Sequence, residues 1–137
     1  MKTYLTKTPI FIQRIFKNYT WRFSSVPKVI YLTFDDGPTP EITDWVLQTL
    51  KVYNAKATFF CIGNNIEKHH DIFNNIIKEG HSIGNHTFNH LKGWKHKTKH
   101  YIEDVIKTEL IIKSKNVTHN SSTTNLFRPP YGKFKTK

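Results

Sequence analysis

Three short segments of the chain bring together residue types that could do hydrolytic chemistry. They are Thr33-Phe34-Asp35-Asp36-Gly37-Pro38, His86-Thr87-Phe88-Asn89-His90 and Arg128-Pro129-Pro130-Tyr131-Gly132. In the first, two adjacent carboxylates end an apolar run. Side chains alternate across a strand, so Asp35 and Asp36 cannot both point the same way and suit two different jobs. Asp-Gly-Pro alone is an ordinary turn signal, but a doubled acid straight after Val-Ile-Tyr-Leu-Thr-Phe is less easily read as a turn. In the second, His86 and His90 stand four apart. On one helical turn both imidazoles would share a face and could grip one metal ion. The spacing is weak by itself, and the chain contains a control. His96 and His100 repeat it with no acid or strand end beside them and read as surface histidines. In the third, two prolines make a rigid extended turn and leave the Tyr131 amide free to point at a ligand. Arg128 beside them could hold a carboxylate bidentately and keep it ionised.

Each segment has a bland structural reading alone; the three together have a chemical one. One carboxylate with two neutral imidazoles is a common catalytic zinc set that leaves a coordination position for water. A second carboxylate can take the water's proton. An arginine can steady that base, and a backbone N–H can meet the developing oxyanion.

The order TFDDGP, HTFNH, RPPYG resembles the polysaccharide deacetylase family, also called the NodB-homology domain or carbohydrate esterase family 4. The resemblance runs from about Lys28 to Lys133, and KATFFCIGNN and EGHSIGNHT are similar to the family as well. It implies a distorted (β/α) barrel that removes N- or O-acetyl groups from acetylated polysaccharides or oligosaccharides. By position, Asp35 matches the family's catalytic base, and Asp36, His86 and His90 match the ligands of a divalent metal ion, usually Zn2+. Arg128 matches the residue that orients the base. Tyr131 matches the residue whose backbone amide helps stabilise the oxyanion, and Pro130 and Tyr131 are expected to line the substrate. Two later family motifs, one bearing a pocket tryptophan and one a general-acid histidine, have no counterpart, since all eight histidines precede Arg128. The expectation is therefore an incomplete barrel with little activity alone. The alternative is a non-catalytic remnant that binds metal or carbohydrate only.

The elements that must position these residues alternate after Pro27. Val29 to Phe34 reads as a buried strand ending at Asp35, and Thr39-Pro40 opens a helix through Ile42, Trp45, Val46, Leu50 and Tyr53. Ala57 to Ile62 is a second strand. Ile66, Phe73, Ile76 and Ile77 mark one helix ended by Gly80, and His81 to Asn85 is a third strand. Tyr101, Ile102, Val105, Ile106, Leu110 and Ile111 give another helix, Asn116 to Asn125 a loop, and Leu126-Phe127 a fourth strand stopped by two prolines. This is an α/β pattern: about four parallel strands with connecting helices, the N-terminal part of a barrel, with the polar residues at the C-terminal rim. Residues 1–26 form a separate extension, with Thr8-Pro9 opening an amphipathic helix, and 27–137 the deacetylase-like domain. The helix's apolar stripe suits packing on the domain, and its basic flanks also permit a membrane surface.

Composition narrows the rest. No apolar run approaches the roughly 20 residues of a membrane span, and the N-terminus has no continuous apolar core of a signal peptide. Cys61, the single cysteine, excludes an intramolecular disulfide and reads as a small buried hydrophobe. The +11 formal charge favours polyanions, but the lysines are scattered and no nucleic-acid-binding signature accompanies them.

Overall fold

A computed structural model describes residues 8–23, 28–116 and 126–133. The chain divides into two compact units, Met1–Ile30 and Tyr31–Lys137. In the first, α1 covers only Ile10–Ile15 and buries none of its residues. The apolar positions beyond it, Tyr19 and Phe23, lie outside the helix, where Trp21 donates to the Phe16 carbonyl at 3.0 Å.

In the second unit, four parallel strands lie side by side in chain order. They are β1 (Leu32–Asp35), β2 (Ala57–Cys61), β3 (Ser82–Asn85) and β4 (Leu126–Phe127). The crossovers carry α2 (Ile42–Val52), α3 (Gly63–Lys68) with α4 (His70–Lys78), and α5 (Thr98–Asn116). Phe34 is level with Phe59 and Phe59 with Ile83, so alternate residues of the strands face the helices. There they join Val46, Leu47 and Leu50 of α2, Ile66 of α3, Phe73, Ile76 and Ile77 of α4, and Ile112 of α5 in one core. Burying a side chain of this size contributes about 1.5–3 kcal/mol. The other face carries the chemistry. Asp35 is level with Phe60, Phe60 with Gly84, and Gly84 with Leu126.

Within the second unit, four of the expected elements differ in the structure. Strand β1 starts at Leu32, and Val29, Ile30 and Tyr31 before it are exposed. As an edge strand it gains cover from one side only, and Leu32, Phe34, Trp45 and Tyr53 line an open apolar groove beside it. The helix expected around Ile66 to Ile77 is two helices, because His69 (φ −129°, ψ 53°) turns the chain between them. Gly80, with φ +75°, follows α4 as its terminal glycine. In α5 the buried stripe is Asp104, Thr108 and Ile112, while Ile102, Ile106 and Leu110 are exposed. The fourth departure, at His86–His90, belongs to the site. Most of the loop expected from Asn116 to Asn125 lies outside the described residues.

Two buried titratable groups are structural. Cys61 is fully buried in the core and its burial pushes the thiol well up, which suits a small hydrophobe and not a nucleophile. His81, at the opposite end of β3 from the histidine ligands, accepts the Ala57 N–H at 3.3 Å through Nδ1. Burial, with Lys56 adding to it against a smaller opposing effect of Glu79, holds its pKa below the ordinary 6.5. No helix among the described residues is long and apolar enough to cross a membrane.

Candidate metal centre and catalytic site

The site forms at the C-terminal ends of the strands, where the ends of β1, β3 and β4 deliver Asp35-Asp36, His86 and Arg128 to one rim. Asp35 is the last residue of β1, and Asp36 takes a left-handed conformation (φ 67°). That reversal, rather than strand alternation, separates the two carboxylates. The turn is held by Asn65, whose side-chain amide donates to the Asp36 carbonyl at 2.8 Å, and by the Ile62 N–H on the Gly37 carbonyl at 2.9 Å.

Residues 86–90 are not a helical turn. They form a loop leaving β3, with left-handed residues at Thr87 (φ 66°) and His90 (φ 53°). The two imidazoles nevertheless converge, with ring centres 5.0 Å apart. Nε2 of His86 lies 3.3 Å and Nε2 of His90 3.1 Å from the same Oδ1 of Asp36. Among the described residues, these three offer ligand atoms within 4.8 Å of one another and could hold a metal ion.

The tautomer of His86 tests whether they fit one. Its Nδ1 lies 2.7 Å from the Arg128 carbonyl oxygen, which can only accept, so Nδ1 carries the proton. With the ring neutral, Nε2 turns a lone pair toward the Asp36 carboxylate. Two lone-pair donors facing each other take a proton or a metal ion between them, and a backbone carbonyl on the far nitrogen is the usual support of a metal-ligating histidine. The donor set fits a divalent ion.

Asp35 is held separately. Arg128 Nη1 donates to Asp35 Oδ1 at 2.7 Å and to Thr33 Oγ1 at 3.0 Å. The guanidinium carbon lies 4.0 Å above the Phe60 ring. Arg128 thus reaches from the end of β4 across β3 and β2 to β1, using Phe60 as its bed. Gly84 makes that bed possible, since a Cβ there would stand 2.4 Å from the Phe60 ring. Pro130 is buried and Tyr131 is left-handed (φ 60°) in the turn that follows. Four non-glycine residues of the site, Asp36, Thr87, His90 and Tyr131, therefore share positive φ. Such conformations cost about 1–3 kcal/mol each and persist where surroundings hold them.

The surroundings come largely from residues the sequence did not flag. Asp104, buried in α5, accepts the Phe88 and Asn89 N–H groups on Oδ2 at 2.8 and 3.0 Å, and the Asn89 side chain on Oδ1 at 2.6 Å. Asn85 Oδ1 takes the Thr87 N–H at 2.8 Å, and its amide donates to the Val105 carbonyl at 2.8 Å. These bonds tie the histidine loop to α5 by its backbone. Asp104→Ala should therefore weaken zinc binding by about 10-fold or more, as loss of an outer support does, with Asp104→Asn in between. Zinc titration of the three proteins checks it; equal affinities would show that the loop holds its shape without Asp104.

Parallel strands flanked by helices thus carry at their C-terminal ends an Asp-His-His cluster that could hold a metal ion, beside an Arg-bound Asp. The chain belongs to the polysaccharide deacetylase family, whose sequence profile matches residues 24–137. It is 37% identical over 113 residues to a peptidoglycan-N-acetylglucosamine deacetylase of Bacillus cereus, covering 82% of this chain and 51% of the relative. It is 36% identical over 105 residues to the peptidoglycan-N-acetylmuramic acid deacetylase PdaC of Bacillus subtilis, covering 77% of this chain and 22% of the relative. The solved structure of PdaC superposes with a TM-score of 0.71 at 34% identity, over 78% of this chain and 51% of that one. The chain thus spans about half or less of the length of these relatives.

Proposed function

We propose that this chain carries the metal-binding and base-bearing part of a deacetylase that hydrolyses the N-acetyl group of amino sugars in a wall-type polysaccharide. The observation that carries the reading is the fixed tautomer of His86, which aims Nε2 at the Asp36 carboxylate beside His90. Asp36, His86 and His90 would hold the ion, and two imidazoles with a carboxylate favour Zn2+. Bound there, a divalent ion supplies Lewis acidity, making water acidic enough to attack near neutral pH and polarising the acetyl carbonyl.

The chain's own residues divide the remaining work. Asp35 takes the proton of the attacking water, and Arg128, 2.7 Å from Asp35 Oδ1, aims its carboxylate. The Tyr131 backbone N–H meets the developing oxyanion, and buried Pro130 fixes the turn that presents it to substrate. Residues 27–137 make up this deacetylase part, and 1–26 an extension with its own short helix. This division of roles assigns no residue to protonate a leaving amine.

That division gives a test with two substrates. The purified, zinc-loaded chain should hydrolyse 4-nitrophenyl acetate, whose phenolate leaves without a proton, and release acetate from N-acetylglucosamine oligomers only slowly. Ester hydrolysis that zinc does not stimulate would overturn the reading of the site. Fast acetate release from the oligomers would overturn the need for a further acid.

A further inference from the structure

The basic segment after the histidine loop lies beside the triad and has no part in the chemistry above. Four rings run outward from the ion position. His86 and His90 are 5.0 Å apart, His90 and Tyr131 4.8 Å, and Tyr131 and Trp94 5.6 Å, the last pair edge to face. The inner two are ligands. The outer two are large apolar surfaces left at the protein surface, Trp94 at 37% and Tyr131 at 52% exposure. Lys92 lies 5.1 Å from the centre of the Tyr131 ring and Lys133 5.4 Å from that of Trp94. Among the described residues neither ammonium has a carboxylate partner.

We propose that Trp94 and Tyr131, flanked by Lys92 and Lys133, form a subsite for a carboxylate-bearing amino sugar next to the residue being deacetylated. The inference rests on the deacetylase reading and adds which glycan the same rim selects. A pyranose presents C–H groups on its faces and hydroxyls on its edge, which matches an exposed amphipathic ring. An aromatic step beside the metal triad would align the chain so that one sugar stacks while its neighbour's acetyl group meets the ion. The lysines give that step a charge preference. A ring face is a weak partner for an ammonium at the surface, and a carboxylate a better one, so each lysine is held near the platform yet free to re-pair. Two cations around one stacking surface suit a sugar that carries an acid, such as the lactyl ether of N-acetylmuramic acid, better than a neutral polymer.

Calorimetry on the zinc-loaded 137-residue chain separates the outcomes. One titrant is the neutral tetrasaccharide of N-acetylglucosamine, the other a peptide-free tetrasaccharide alternating N-acetylglucosamine with N-acetylmuramic acid. The acidic one should bind about fivefold tighter at low salt and lose that advantage as salt screens the lysines. K92Q/K133Q should abolish the difference and leave neutral binding in place. W94A should weaken both titrants, and W94F should restore most of the loss. Equal affinities, an advantage that survives K92Q/K133Q, or no binding of either sugar by a zinc-bound chain would overturn the subsite. Zinc uptake is read in parallel on every variant: its absence in the wild-type chain would sink the deacetylase reading itself, while normal uptake without sugar preference sinks only this proposal.

Discussion

His86→Ala should cost the chain its metal, lowering zinc affinity by more than the roughly 10–100-fold that loss of an outer support brings. The substitution removes one of three ligand atoms and also the bond from His86 Nδ1 to the Arg128 carbonyl. Zinc should raise the thermal midpoint of the wild-type chain, as any ligand of the folded state does, and leave that of the variant unchanged. A double variant His96→Ala/His100→Ala supplies the comparison. Those rings have the same sequence spacing and a similar separation, 5.6 Å against 5.0 Å. What they lack is the converging carboxylate of Asp36, so zinc binding should survive their loss. Competition against a chromophoric chelator measures all three proteins. Retained affinity in His86→Ala, or equal loss in the control, would place the metal elsewhere.

The contrast between the two histidine pairs also shows what was legible in the sequence. The three segments and their place after strands were readable, because an apolar strand followed by a sharp polar turn is a local signal. Parallel pairing followed from the strand–helix alternation. The path of the chain through the site was not readable. His86 and His90 converge through left-handed backbone at Thr87 and His90, which four-residue spacing suggests wrongly as a helix. The agents holding that backbone were also hidden. Asp104 and Thr108 are polar residues in the buried stripe of α5, where pattern reasoning looks for apolar ones. Asp104 is buried because it receives loop N–H groups, and no periodicity in its own helix records that partner. The same logic explains the exposed Ile102, Ile106 and Leu110. The helix turns toward its hydrogen bonds, and its aliphatic positions face outward.

Asp35→Asn should leave zinc binding intact and remove zinc-stimulated ester hydrolysis by about 10²–10⁴-fold, the usual contribution of a positioned base. The neighbouring Asp36→Asn should do the reverse at the first step and lose the metal. Two adjacent carboxylates make this a sharp comparison, because the substitutions change charge equally and shape hardly at all. Their partners differ. Asp35 Oδ1 accepts from Arg128 at 2.7 Å, and an asparagine oxygen can accept the same bond, so Arg128 stays on Thr33 and over Phe60. Asp36 Oδ1 instead faces the Nε2 atoms of His86 and His90 at 3.3 and 3.1 Å, and a neutral amide oxygen is a poorer metal ligand than a carboxylate. Zinc titration and 4-nitrophenyl acetate kinetics on both variants therefore read separate functions of a dipeptide. If Asp35→Asn lost zinc, or kept full zinc-stimulated hydrolysis, the base would have to be sought elsewhere on the rim. If Asp36→Asn bound zinc normally, the left-handed turn at Asp36 would have some purpose other than aiming a ligand. The expected split follows from that turn: one residue of positive φ sends successive acids to different partners, one to an arginine and one to a pair of imidazoles.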